Sequence, residues 1–160
     1  MPRRAREKTE TKTYHIMVRG VNKQLIFLDS DDRYRFIDIL KRYKKACNFE
    51  LYAYCLMGNH VHIVLKENDI PLETIFKKIN TSYVVYFNKK HQRSGHLFQD
   101  RFKSEPINSD AQLLQTVRYV HRNPVKAGLC AAPSDYFFSS YMDYVSPFDP
   151  QKIYRRKNDL

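Results

Sequence analysis

Residues 49–66, FELYAYCLMGNHVHIVLK, contain two β-rich runs, FELYAYCLM (49–57) and HVHIVLK (60–66), parted only by Gly58-Asn59. Gly and Asn tolerate positive φ, so the dipeptide predicts a tight hairpin turn. Along 60–66 side chains alternate: Val61, Ile63 and Leu65 face one way, His60, His62 and Val64 the other. Upstream, TYHIMVRGV (13–21) alternates as well, with His15, Met17 and Arg19 on one side and Tyr14, Ile16 and Val18 on the other. Between these strands Asp29-Ser30-Asp31 offers capping side chains, and Phe36, Leu40, Tyr43 and Cys47 recur at helical spacing, predicting a helix over about 31–47. Pro71 opens a second helix with an apolar stripe from Leu72 through Ile75, Phe76, Ile79, Tyr83 and Tyr86 to Phe87. HLFQDRFKSEPI (96–107) reads as extended. Ser109-Asp110 caps a third helix that runs towards Asn123, punctuated by Pro124 and Gly128.

The element order β-α-β-β-α-β-α predicts an α+β fold: a ferredoxin-like antiparallel sheet with helices on one face and an additional C-terminal helix. The other face of the sheet is then free for a site. The 160 residues suit one domain, with a basic N-terminal arm over 1–12, a body over 13–145 and a basic tail over 146–160. The start, MPRRAREKTETK, has no apolar stretch behind it, so it reads as a mobile arm and not a secretory signal.

Lys and Arg number 28 against 17 Asp and Glu, a formal charge of +11, which marks a polyanion-binding protein. No apolar run nears the roughly 20 residues of a membrane span, and no membrane partner is expected. Cys47, Cys55 and Cys130 form no C-x-x-C pair, which argues against disulfides and thiolate zinc sites and for a reduced cytoplasm.

His60-Val61-His62 places two imidazoles side by side, half of a metal shell. Alone, the pattern better describes two solvated or hydrogen-bonded histidines on a hairpin. On the third helix Leu113, Leu114, Val117 and Val120 form an apolar stripe expected to face the core, while Gln112, Gln115, Tyr119 and Asn123 share a polar face. Arg118 and Arg122 flank that row. The same row also fits a half-buried Tyr and an Asn that caps the helix end.

Three separated segments, YCLMGNHVHIVLKE (54–67), SGHLFQDRFKSEPI (94–107) and YVHRNPVKAGL (119–129), together resemble the IS200-like HUH single-tyrosine transposases, in particular the REP-associated tyrosine transposase subgroup. The likeness spans roughly 13–145 and implies the ferredoxin-like core. It further implies cleavage of single-stranded DNA beside hairpins through one tyrosine and a divalent ion, Mg or Mn. By resemblance His60 and His62 are metal ligands, Tyr119 is the nucleophile and Asn123 the third ligand. Gly58 stands where the family usually has a proline, which alters the turn and leaves the ligands in place. Phosphate contacts are expected from Arg3, Arg4 and Arg6 in the arm, Arg101 and Lys103 in QDRFKSE, and Arg118 and Arg122 beside the tyrosine. A homodimer, and a tyrosine acting on its own or a partner's site, both stay open. The competing class is a non-catalytic RNA-recognition-like module, but the RNP1 string is absent. A zinc deaminase would need H-x-E and P-C-x-x-C, and neither occurs.

Overall fold

The computed structural model describes residues 4–145. Its elements are β1 (Thr13–Arg19), α1 (Ser30–Cys47), β2 (Glu50–Leu56), β3 (His60–Lys66), α2 (Leu72–Lys90), β4 (Lys103–Pro106), α3 (Asp110–Lys126) and the short α4 (Tyr141–Val145). The four strands form one antiparallel sheet in the order β2-β3-β1-β4, the ferredoxin-like arrangement expected. The long extended stretch over 96–107 contributes only four strand residues, plus an isolated bridge from Phe98 to Gly20.

The alternation within β1 and β3 sorts their side chains as the sequence predicts. Tyr14, Ile16 and Val18 join Val61, Ile63 and Leu65 in the main core, covered by Phe36 and Leu40 of α1 and Ile75, Phe76, Ile79, Tyr83 and Phe87 of α2. Burying a side chain of this size contributes roughly 1.5–3 kcal/mol, so this layer carries most of the stability. Asp29 caps α1 by accepting from the Asp32 amide at 2.9 Å, and Asn48 stops it in the left-handed conformation (φ 51°) that Asn tolerates.

The hairpin between β2 and β3 closes without the positive φ expected at Gly58 and Asn59. What its geometry demands is proximity. The Gly58 carbonyl accepts from Ile26 N, the Asn59 carbonyl accepts from Gly20 N, and a Cβ at Gly58 would approach Leu25 to 3.1 Å. A Cβ at Gly20 would sit 2.2 Å from the Gln24 carbonyl oxygen, so only glycine fits there.

The two core helices share one face, as expected, and the additional helix takes the other. α1 and α2 cover one side, whereas α3 lies across β2 and β3 on the other, burying Val117 and Val120 against Ala53, Cys55, Met57 and Val64. Leu114, expected to face this core, is instead 70% exposed, because the stripe that contacts the sheet is narrower than the apolar stripe in the sequence. α3 also continues through Pro124 to Lys126, and Gly128 (φ 75°) ends it with Gly128 N donating to the Val125 carbonyl. His121 pins the helix from its buried side: Nε2 lies 2.7 Å from Ser140 Oγ, which accepts from Tyr54 N of β2 at 2.9 Å.

The N-terminal residues described do not float free. Arg6 lies 3.6 Å over the Phe102 ring and donates to the Phe102 carbonyl, and Thr11 Oγ1 donates to the Ile107 carbonyl at 2.5 Å. Among the described residues no helix is long and apolar enough to cross a membrane.

Asp32, with no exposed surface, binds α1 to α2. It accepts from Lys90 Nζ at 3.0 Å, Tyr86 Oη at 2.9 Å and Leu28 N at 2.9 Å, and faces His91 Nε2 at 2.9 Å. Asp32→Ala strands these groups and is expected to cost about 3–5 kcal/mol in denaturant titration. Asp29→Ala, on the exposed cap, should cost about 1 kcal/mol.

Burial holds the His121 imidazole down at about 4 in the folded chain, below its ordinary 6.5. The proton therefore favours the unfolded state, so this contribution is complete above pH 6.5 and is lost as pH falls towards 4. His121→Phe should remove up to about 1.4 kcal/mol per pH unit from the acid limb of a stability–pH curve. An unchanged slope would count against the assignment.

Candidate functional site

α3 covers only the β2–β3 half of its face of the sheet, and the site lies where that cover ends. The antiparallel register of β1 on β3 sets Arg19 opposite His60, Met17 opposite His62 and His15 opposite Val64, all pointing to this face. His60 and His62 pack edge to face with ring centroids 5.0 Å apart. His15 stacks on His62 at 5.1 Å, and Tyr119 meets both His15 and His62 edge-on at 5.9 Å. Four rings from β1, β3 and α3 thus share one spot.

The imidazoles are not on an open surface, as the strand pattern alone suggested. His62 is 4% exposed, roofed by Tyr119 and stacked on His15. Burial, with His15, His60 and Arg19 nearby, pushes its pKa down to about 3; burial and Arg19 lower His60 too. Burial also lowers His15, with Glu105 opposing in part. The rings are consequently neutral near pH 7, as metal ligation requires.

Hydrogen bonds fix which nitrogen is free. His60 Nδ1 lies 2.6 Å from Asn59 Oδ1, an acceptor only, so Nδ1–H donates and Nε2 keeps its lone pair. His62 Nδ1 lies 2.9 Å from His15 Nε2, while His15 Nδ1 faces Glu105 Oε2 at 3.7 Å. In the His15 tautomer protonated at Nδ1, on the Glu105 side, His62 donates from Nδ1 and its Nε2 keeps its lone pair. Asn123, one turn beyond Tyr119, is half-buried, and its Nδ2 is shielded from water with no hydrogen-bond partner. That unpaired end is a donor, which an acceptor and not a cation satisfies, so only the Oδ1 end of Asn123 can ligate a metal. Two neutral imidazoles and an amide fit a divalent ion of mixed N/O preference. Among the described residues no cluster of three His, Cys, Asp or Glu offers an alternative.

Tyr119 is 46% exposed, with Lys126 Nζ 5.7 Å from its ring. Gln115, Arg118, Arg122 and Lys126 line a groove of about 430 Å³ along it. Gln112 drops out of the polar row: it receives the Ser109 cap through its amide, while its side chain accepts from Asn108 N and donates to the Pro106 carbonyl. The competing tyrosines are occupied. Tyr83 is fully buried, its hydroxyl donates to the Ile26 carbonyl, and burial raises its pKa; Tyr86 donates to Asp32 and is raised as well.

On the uncovered β1–β4 half a second cleft, about 510 Å³, is bordered by Arg4, Arg6, Arg101 and Lys103. Arg6 is committed to Phe102 and to Glu73 at 3.7 Å, and Arg101 Nη2 donates to the Arg4 carbonyl. Arg4, Arg101 and Lys103 remain exposed, as do Arg118 and Arg122 on α3. Arg3 lies outside the described residues. Sequence reasoning missed His15 and Arg19; the strand alternation placed both on one side of β1, but only the cross-strand register reveals that this is the side of His60 and His62.

Residues 8–123 match the family model "Transposase IS200 like". A Haemophilus influenzae protein described as a REP-associated tyrosine transposase is 31% identical over 113 residues, a match spanning 62% of this chain and 64% of that protein's length. The fold is similar to that of a REP-associated tyrosine transposase bound to a REP hairpin (TM-score 0.76, 22% identity, 94% of this chain and 89% of the other). It is also similar to a Deinococcus radiodurans protein described as a transposase (TM-score 0.51, 16% identity, 76% and 97%). With the family model matching from the N-terminal segment to Asn123, the chain belongs to the IS200-like transposase family.

Proposed function

We propose that this chain cuts and rejoins single-stranded DNA beside a hairpin through a 5′-phosphotyrosine on Tyr119, with His60, His62 and the Asn123 amide oxygen holding Mg²⁺ or Mn²⁺. The observation that carries the reading is the packing of Tyr119 against His62 and His15, 5.9 Å ring to ring, in a single chain. This contact favours a tyrosine that serves its own site, in a monomer or within a homodimer. The hairpin bound by the structural neighbour supports the substrate, and the three free cysteines suit a reduced cytoplasm.

A divalent ion held by His60, His62 and Asn123 would supply positive charge to the phosphate. Tyr119 Oη, as phenolate, attacks phosphorus in line; the new Oη–P bond forms as the P–O3′ bond breaks, and the departing oxygen takes a proton to become a 3′-OH. The phenol proton passes to solvent, to which Tyr119 is open. The linkage energy is kept in the phosphotyrosine, so a 3′-OH can reverse the step. Lys126, over the ring, and Arg118 and Arg122 beside it favour negative charge there. Arg4, Arg101 and Lys103 give the strand phosphate contacts. His121, hydrogen-bonded to Ser140 on the buried side of α3, serves packing.

Tyr119→Phe removes only an exposed hydroxyl. It should retain hairpin DNA and Mn²⁺ binding and abolish the covalent adduct on a denaturing gel. An adduct at the unsubstituted rate would exclude Tyr119, and DNA binding without any adduct in the unsubstituted protein would favour the non-catalytic module.

His60→Ala should weaken Mn²⁺ binding, measured by calorimetry, by more than the roughly 10- to 100-fold typical of losing an outer-shell partner. His62, being buried, is better tested as His62→Gln, which keeps the site filled. Unchanged Mn²⁺ affinity in both would contradict the ligand set.

A further inference from the structure

Arg19 lies directly in the histidine row of the sheet face. It sits opposite His60, lines the 510 Å³ cleft, and its Nε is shielded from water with no hydrogen-bond partner. A buried guanidinium donor without an acceptor is unfavourable, and its planar fork matches a phosphate. An anion in the cleft resolves this.

The row has a direction. Tyr119 contacts His15 and His62 but lies at the end remote from Arg19, which is two residues further along β1 than Met17, the partner of His62. Two strand residues span about 6.6 Å. In an in-line displacement the nucleophile and the leaving oxygen lie on opposite sides of phosphorus. A scissile phosphate seated over the histidines with Tyr119 on one side therefore directs its leaving 3′-oxygen towards Arg19. Lys103, opposite Met17, and Arg101 continue the basic border from there, while Glu105 is turned to His15 and Glu7 and Asp100 stand at the rim.

We propose that Arg19 is a substrate-binding residue that grips the leaving strand, through the first phosphate on the 5′ side of the cleavage point, and so keeps the 3′-OH in place for rejoining. The proposal rests on the strand-cleavage reading above and adds a residue and a polarity to it.

The test is a cycle between residue and phosphate, using hairpin-bearing single strands with or without one neutral methylphosphonate at that phosphate. Single-turnover adduct formation is followed for the unsubstituted protein, Arg19→Gln and Arg19→Lys, alongside Mn²⁺ affinity and thermal midpoint. Arg19→Gln should slow adduct formation roughly 10²-fold, the scale of misplacing the reacting groups, at unchanged Mn²⁺ affinity, with Arg19→Lys recovering part of the loss. The methylphosphonate should slow the unsubstituted protein comparably and cost Arg19→Gln nothing further. Equal penalties in both proteins, or no penalty in the unsubstituted one, would overturn the role of Arg19 while leaving Tyr119 chemistry intact. No adduct from the unsubstituted protein on unmodified DNA would overturn the cleavage reading, and this role with it.

Discussion

The site depends on one constraint, the register of β1 against β3. With Val18 opposite Val61 and Ile16 opposite Ile63, the apolar rows of both strands enter the same core, and Arg19, Met17 and His15 come to share the opposite face with His60 and His62. A slip of one residue would drive Tyr14, Ile16 and Val18 out of the core and the polar set into it. The main core therefore enforces the arrangement of side chains on its far side. The groups on β1 and β3 are placed by this register alone.

The second constraint is the seating of α3. Its apolar contacts are few, chiefly Val117 and Val120 on Ala53, Cys55 and Val64, and the His121–Ser140–Tyr54 connection adds a polar anchor. This small core is what brings an exposed tyrosine over a buried histidine. It also leaves the β1–β4 half of the face uncovered, with a floor bordered by Arg4, Arg101 and Lys103. The exposed cations at Arg4, Arg101, Lys103, Arg118 and Arg122 thus divide between that floor and the helix, with the rings between them.

Much of this was legible in the residues because it follows from local rules. Period-two alternation in β1 and β3 identified both faces, the turn at Gly58-Asn59 paired β2 with β3, and the helical stripe of α2 put Tyr83 in the core. What escaped depends on relations between distant segments. His15 and Arg19 became visible only through the pairing of β1 with β3, and the burial of His62 only through the docking of α3. Leu114 was misplaced because composition shows how wide an apolar stripe is, not how much of it a partner covers. Arg6 looked like a free cation in a basic arm, and only the fold shows Phe102 beneath it.

The central claim is that Tyr119 and the histidine pair form one reactive centre within one chain. Peptide mapping of a covalent adduct, trapped on hairpin-bearing single-stranded DNA in Mn²⁺, tests it most directly. The account predicts the nucleotide on the peptide containing Tyr119. Finding it on Tyr83 or Tyr86, both tied into the α1–α2 side of the sheet, would contradict the account.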